Sequence, residues 1–370
     1  MPTPVIDAIQ GHIDLEARVG GYEAADLVRE RVAVTYDRVA ALLSTQPEQV
    51  ALTENATASF QQALSSIPFR PGDRIVTTRN DYVSNQIQYL SLARRFGIEM
   101  VRAPEHAEGG VDIPALAGLV HRLRPRLVAM SHVPTSSGLV QDASAVGRIC
   151  RDRSTWFLLD ACQSLGQIPL DPEAIGCDFL TATARKFLRG PRGIGFLWTS
   201  ARVLDGGLEP LFPDLRGADW IADDLYQPAP DATRFENWEF AYALVLGLGE
   251  AADYALRVGV ERGGSRAAIL AARLREGLQG VAGIRVLDRG PRLCAIVTAQ
   301  VSGHAPSALV EVLRSRAINT SAVDRSSAVL DFDDKGVEGA LRLSPHYYNT
   351  EREVDLVIET LAEITSEAPD

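Results

Sequence analysis

Positive charge is in short supply: 37 Lys and Arg stand against 48 Asp and Glu, leaving a net −11 with the six histidines neutral. That deficit offers no basic face to a nucleic-acid backbone, so any phosphate must be held locally. Cysteine is scarce as well. Cys150, Cys162, Cys177 and Cys294 form no C-x-x-C pair and no metal-ligand spacing, and they lie mostly in apolar or small-residue surroundings. They read as reduced core thiols, which points to the cytoplasm. No apolar run reaches membrane-spanning length, and no charged-then-apolar leader follows Met1. The expectation is a soluble, unexported protein, without internal repeats or low-complexity tracts.

What is present suits a globular enzyme-sized chain. Hydrophobic residues make up 46% of 370 residues, which is ample for a core but too long for one comfortable unit. From Val50 to about Trp198, short β-branched runs alternate with helical stretches. Val50–Thr53, Arg74–Thr77, Glu99–Arg102, Leu127–Ser131, Trp156–Asp160, Phe179–Thr181 and Ile194–Trp198 read as strands. Pro71-Gly72-Asp73 and Gly190-Pro191-Arg192-Gly193 are turn signals before the second and the last of these. Strands alternating with helices imply an α/β fold with a largely parallel sheet, whose ligands sit at the carboxyl ends of the strands.

Upstream, Val5–Ala17 reads as a short helix and Tyr22–Leu43 as a longer one. Downstream, Val203–Ala232 is rich in Pro, Gly and Asp without a clear period, so an irregular connection is expected. An apolar helix over about Phe240–Leu256 then leads into a second α/β unit. Its helices fall near Gly264–Leu278, Pro306–Arg314 and Thr350–Ile364, and its strands near Ile284–Leu287, Ala295–Val301 and Ala340–Leu343. The boundary is expected near residue 250.

Two strand ends carry chemistry. One apolar run ends in Asp160-Ala161-Cys162-Gln163, another in Thr183-Ala184-Arg185-Lys186. An aspartate and a lysine converging above a sheet are what pyridoxal-phosphate chemistry needs. The amine bonds the aldehyde, and the carboxylate keeps a proton on the ring nitrogen. Taken alone, Asp160 reads equally as a capping residue and Lys186 as a surface cation. Thr53-Glu54-Asn55-Ala56-Thr57 lies where a strand gives way to a helix, a place suited to an anion and also to an ordinary N-cap. Arg185, with Thr183 nearby, can add a charge-assisted contact to the same phosphate.

Several segments in order extend this. Asp160–Gln163, then Ala184-Arg185-Lys186-Phe187-Leu188-Arg189-Gly190-Pro191-Arg192-Gly193-Ile194-Gly195, and finally Leu341-Arg342-Leu343-Ser344-Pro345-His346-Tyr347-Tyr348-Asn349-Thr350 resemble the class V aminotransferase family of fold-type I pyridoxal-phosphate enzymes. That family takes in cysteine desulfurases, selenocysteine lyases, isopenicillin-N-epimerase-like proteins and ergothioneine-pathway sulfoxide lyases. The resemblance implies a large, doubly wound, mostly parallel-sheet domain over residues 1–250 that binds pyridoxal 5′-phosphate. A smaller C-terminal α/β domain follows over 251–370, with the N-terminal segment packed on it. It also implies a homodimer acting on an amino-acid substrate.

By the same resemblance Lys186 is the Schiff-base lysine and moves the substrate Cα proton. Asp160 pairs with the pyridine nitrogen, and Gln163 lies near the phenolic oxygen. Ala56, Thr57, Thr183 and Arg185 match phosphate-binding positions, and Arg342 matches the arginine that forks onto the substrate carboxylate. Tyr82, in Asn80-Asp81-Tyr82-Val83-Ser84-Asn85, stands where the family's desulfurases stack a histidine, so an aromatic ring remains without the imidazole's acid–base capacity. Thr135 occupies a position that is often Asn in relatives, and an inter-subunit phosphate contact that is often Thr falls near Trp238-Glu239.

The stretch matching the desulfurases' mobile loop, Asn319–Gly339, contains no cysteine, which argues against persulfide formation. Relatives have a short strand and loop before the segment matching Pro4–Asp7. The early Met1 leaves three readings open: a misplaced start, a shortened chain, or a missing substrate wall. Glu16-Ala17-Arg18-Val19-Gly20-Gly21-Tyr22, Ala184–Gly195 and Leu343-Ser344-Pro345-His346 look most like ergothioneine-type C–S lyases. Similar sequences also occur in antibiotic pathways that process thiol conjugates. The expected reaction is β-elimination from a cysteine S-conjugate or sulfoxide, with aminotransferase, epimerase and decarboxylating activities as alternatives. A non-catalytic scaffold is a further alternative, disfavoured by an intact Lys186, Asp160 and Arg342.

Overall fold

The computed structural model describes residues 1–366; the last four positions of the expected C-terminal unit lie outside them. The chain opens with three helices, α1 (Thr3–Val19), α2 (Gly21–Leu27) and α3 (Arg29–Leu42). The single helix expected over Tyr22–Leu43 is therefore two. Val28 leaves the helical backbone between them (φ −106°) as its β-branched side chain is buried in the core.

The alternating region follows the expected order: β1 (Val50–Thr53), α4 (Ala56–Ser66), β2 (Arg74–Thr77), α5 (Val83–Phe96), β3 (Glu99–Arg102), α6 (Ile113–Leu123), β4 (Leu127–Ser131), α7 (Ala143–Asp152), β5 (Trp156–Asp160), α8 (Pro172–Ile175), β6 (Phe179–Thr183) and β7 (Gly195–Thr199). These strands form one sheet in the order β1-β7-β6-β5-β4-β2-β3. β7 runs antiparallel to both neighbours, while the other pairs are parallel. Side chains buried on both faces explain why the strands read as near-continuous apolar runs. β6 continues two residues past its expected end because Thr183 pairs with Gly195.

Beyond the sheet come α9 (Ala201–Asp205), then the hairpin of β8 (Ala218–Ala222) and β9 (Leu225–Pro228) inside the stretch expected to be irregular. Its turn is Asp223-Asp224, which lacks the Asn-Gly or Asp-Gly pair that announces tight hairpins. Helices α10 (Tyr242–Val258) and α11 (Val260–Gln279) lead to β10 (Ile284–Val286), β11 (Val297–Val301), α12 (Pro306–Ser315), β12 (Ser321–Asp324), α13 (Val329–Lys335), β13 (Gly339–Leu343) and α14 (Glu351–Ser366). The second sheet is antiparallel, in the order β10-β11-β13-β12.

Two expectations are corrected here. The N-terminal segment lies along α10 instead of on the second sheet, with Val5 in the core of the first. Gly247 permits that approach, since a Cβ there would come within 2.8 Å of Ile9 Cγ1. The stretch Asn319–Gly339 is not a free loop: it builds β12 and α13, and Phe332 is fully buried. Val133, Val140 and Phe187, from loops above the first sheet, join the core cluster of the second, which fixes one sheet over the strand ends of the other. Among the described residues no helix is long and apolar enough to cross a membrane.

Candidate active site

The carboxyl ends of β1, β2, β4, β5 and β6 open into one cleft. Of the expected residues, Ala56, Thr57, Tyr82, Thr135, Asp160, Gln163, Thr183, Arg185 and Lys186 all line it. An adjoining cleft shares Gln163, Arg185 and Lys186 and adds Arg342. Thus the structure brings these ten residues together.

At one end stands the N-terminus of α4. Asn55 caps it, its Oδ1 accepting from Ala58 N at 3.0 Å, so the first N–H groups of the helix remain for an anion. β7 presses close beneath. A Cβ at Gly195 would meet Ala56 N at 2.8 Å and Ala182 O at 2.6 Å. Arg185 is exposed on the same wall, and Thr183 Oγ1 donates to Ile194 O at 3.4 Å.

Asp160 is buried at the end of β5, one oxygen accepting from Cys162 N at 2.9 Å and the other from Asn85 Nδ2 at 3.2 Å. The Lys186 amine is held below its ordinary range, chiefly by burial, partly opposed by the Cys162 and Asp160 charges. Gln163 links two walls: its Nε2 donates to Thr135 Oγ1 at 3.3 Å and its Oε1 accepts from Arg342 Nη2 at 3.2 Å. Burial lowers the Arg342 guanidinium to about 10, so it stays charged at neutral pH. Its buried Nε has no hydrogen-bond partner among the described residues, a donor left for a ligand.

Residues given no role by the sequence also line the site. Ser131, Val133 and Cys162 face the first cleft, and Phe187, Ser344 and His346 the second. His346 stacks on Phe187 (5.3 Å between centroids) and on Tyr348 (4.6 Å), and its Nε2 lies 3.1 Å from Phe187 O. It thereby ties the segment after Lys186 to the segment after Arg342. The motif Ser344-Pro345-His346 was visible in the sequence, but the stacking partner, 159 positions away, was not. Trp238 is largely exposed and its N–H donates to Asp214, so it makes no contact with the cleft in this chain.

A helix N-terminus and a free arginine for a phosphate, a buried carboxylate, a buried amine and an arginine with an unpaired N–H fit pyridoxal phosphate and an amino acid. The arrangement is that of a fold-type I pyridoxal-phosphate enzyme. The family model for class-V aminotransferases matches residues 1–357. The chain belongs to that family, and its cofactor is pyridoxal 5′-phosphate. A probable cysteine desulfurase of Methanothermobacter thermautotrophicus is 28% identical, over 98% of this chain and 92% of the relative. The apo structure of a cysteine desulfurase from Thermococcus onnurineus NA1 superposes with a TM-score of 0.90 at 24% identity, covering 99% of this chain and 92% of that one. A cystine C–S lyase bound to its product, cysteine persulfide, does so at 0.87 and 23% identity, covering 98% and 94%.

Proposed function

We propose that the protein is a C–S lyase that splits a cysteine S-conjugate or sulfoxide by β-elimination, giving a sulfur product, pyruvate and ammonia. The carrying observation is the state of its thiols. All four cysteines are buried, and burial raises every thiol above its ordinary range, Cys294 to about 11. Sulfur transfer to a protein thiol needs an accessible thiolate, and Asn319–Gly339, built into β12 and α13, has no cysteine to supply one. The cystine C–S lyase of the same fold releases its sulfur in a small molecule, which supports the reading.

When bound, pyridoxal phosphate supplies the electron sink that makes the Cα proton acidic. The side chains of this chain then have distinct tasks. Arg342 forks onto the substrate carboxylate, with its unpaired Nε as one donor, and turns Cα–H toward Lys186. Lys186, its amine made easier to deprotonate by burial, takes that proton. The Cβ–S bond breaks with its electron pair leaving on sulfur; Tyr82, which lines the same cleft, either gives that sulfur a proton or serves only to stack on the ring. Asp160 would pair with the ring nitrogen and Gln163 would lie near the phenolic oxygen, while Ala56, Thr57, Thr183 and Arg185 would hold the phosphate. Thr135 holds Gln163 in place. Borohydride reduction followed by peptide mapping tests the central assignment: the pyridoxyl label belongs on Lys186, and a label on another lysine overturns it.

A homodimer accompanies this reading. Leu211, Phe212, Leu215, Trp220, Ile221, Leu225 and Trp238 are each more than half exposed on and around the β8–β9 hairpin. An isolated two-stranded hairpin is marginal in water, and a patch of this kind is ordinarily covered; we assign a second copy as its cover. The reading keeps a large domain over residues 1–250 and a small one over 251–370, with the division falling inside α10. Four unpaired, buried thiols accord with a cytoplasmic enzyme.

A further inference from the structure

A second buried carboxylate, Asp81, lies in the turn between β2 and α5 and is surrounded by donors. Thr77 Oγ1 and Tyr89 OH donate to its Oδ2, each at 2.9 Å. Tyr82 N and Ser131 Oγ donate to Oδ1, each at 2.8 Å, and Asn85 Nδ2 joins them at 3.2 Å. The same Asn85 nitrogen lies 3.2 Å from Asp160 Oδ2. One amide thus bridges two buried carboxylates with its two N–H bonds. The opposite rotamer would turn the amide oxygen against both, so the orientation of Asn85 is determined by its partners.

We propose that Asn85 is a positioning residue for Asp160, itself oriented by Asp81. The inference rests on the reading that Asp160 faces the cofactor's ring nitrogen. Cys162 N–H and Asn85 Nδ2–H hold one Asp160 oxygen each, leaving the remaining lone pairs for the ring. Two fixed donors set the direction of the carboxylate, and a carboxylate aimed at the ring nitrogen would keep the bound ring protonated and positive. The same carboxylate of Asp81 holds Tyr82 N, so the ring-stacking side and the ring-nitrogen side of the cleft share one anchor. The titratable and charged groups around Asp160 are Asp81 and Tyr89 from the β2–α5 region and Cys162 and Lys186 from the strand ends. Arg185 and Arg342 lie beyond Lys186.

The test is the pH titration of the holoenzyme's visible cofactor band. Without the Asn85 donor, Asp160 loses one of its two fixing contacts, its hold on the ring nitrogen weakens and the ring becomes less positive. The lysine–cofactor linkage then keeps its own proton to higher pH. Asn85→Ala is expected to raise the midpoint by about one pH unit, the scale of one hydrogen bond to a charged group. Asp81→Leu should do the same, and Asp81→Asn, which retains an acceptor for Asn85 and Tyr82, should restore the wild-type midpoint. If Asn85→Ala does not fold, the isosteric Asn85→Leu, which removes the donor without adding a charge, carries the same expectation. A wild-type midpoint in the Asn85 variant, with Asp160→Ala shifted, overturns the role of Asn85. A wild-type midpoint in Asp160→Ala overturns instead the Asp160 assignment beneath it.

Discussion

Arg342 shows how much of the site one side chain decides. Its planar fork, fixed by Gln163 on one nitrogen and unpaired at Nε, suits a carboxylate in a way that a lysine ammonium cannot reproduce. Arg342→Lys is expected to lower kcat/KM by roughly tenfold to a hundredfold, mostly through KM; steady-state kinetics that leave KM unchanged would contradict a carboxylate-binding role. His346 is the other informative side chain. Burial, with Arg189 nearby, lowers its imidazole from 6.5 to about 4. A depressed folded pKa means that the unfolded chain takes up a proton first as pH falls below about 6.5, so the stability held at neutral pH is lost on the way to pH 4. Chemical denaturation of wild type and His346→Asn at pH 7 and pH 5 should show the wild-type advantage shrinking by up to about 2 kcal/mol; parallel curves would contradict it.

The meeting of β7 with α4 determines whether the phosphate end exists at all. Gly195 is needed because any Cβ would strike Ala56 N and Ala182 O. Gly195→Ala should push the helix N-terminus off the strand, at a cost of about 1–3 kcal/mol, and speed the loss of the visible cofactor band on dialysis; full cofactor retention would show that the close approach is not required. The strands themselves were readable because both sheet faces are buried, and Leu127–Ser131 and Trp156–Asp160 are then apolar up to their last residue. The hairpin was not, since Trp220, Ile221 and Tyr226 face outward and Asp223-Asp224 gives no turn signal. Likewise Lys186, Asp160 and Arg342 stood out by motif. The Asp81–Asn85 bridge did not, because its meaning lies in two 3.2 Å contacts to carboxylates from different elements.

Assembly and reaction are properties of the complete molecule. If a second copy covers the β8–β9 hairpin, Trp220→Asp should turn a species of about twice 40.0 kDa into one of single mass in sedimentation; an unchanged mass would place the interface elsewhere. The net charge of −11 puts no general attraction for anions over the surface, so on the proposed reading phosphate and carboxylate are met locally, by Arg185, Lys186 and Arg342 in the two adjoining clefts. On the proposed reading, the burial of every cysteine sends the sulfur out in a small molecule. The most direct test is to incubate the holoenzyme with cysteine S-conjugates and sulfoxides and no keto acid, following pyruvate, ammonia and the intact protein mass. The account predicts sustained, equal release of pyruvate and ammonia, with no sulfur added to the protein. Turnover that stops unless a keto acid is supplied, with the cofactor left as pyridoxamine phosphate, would contradict it.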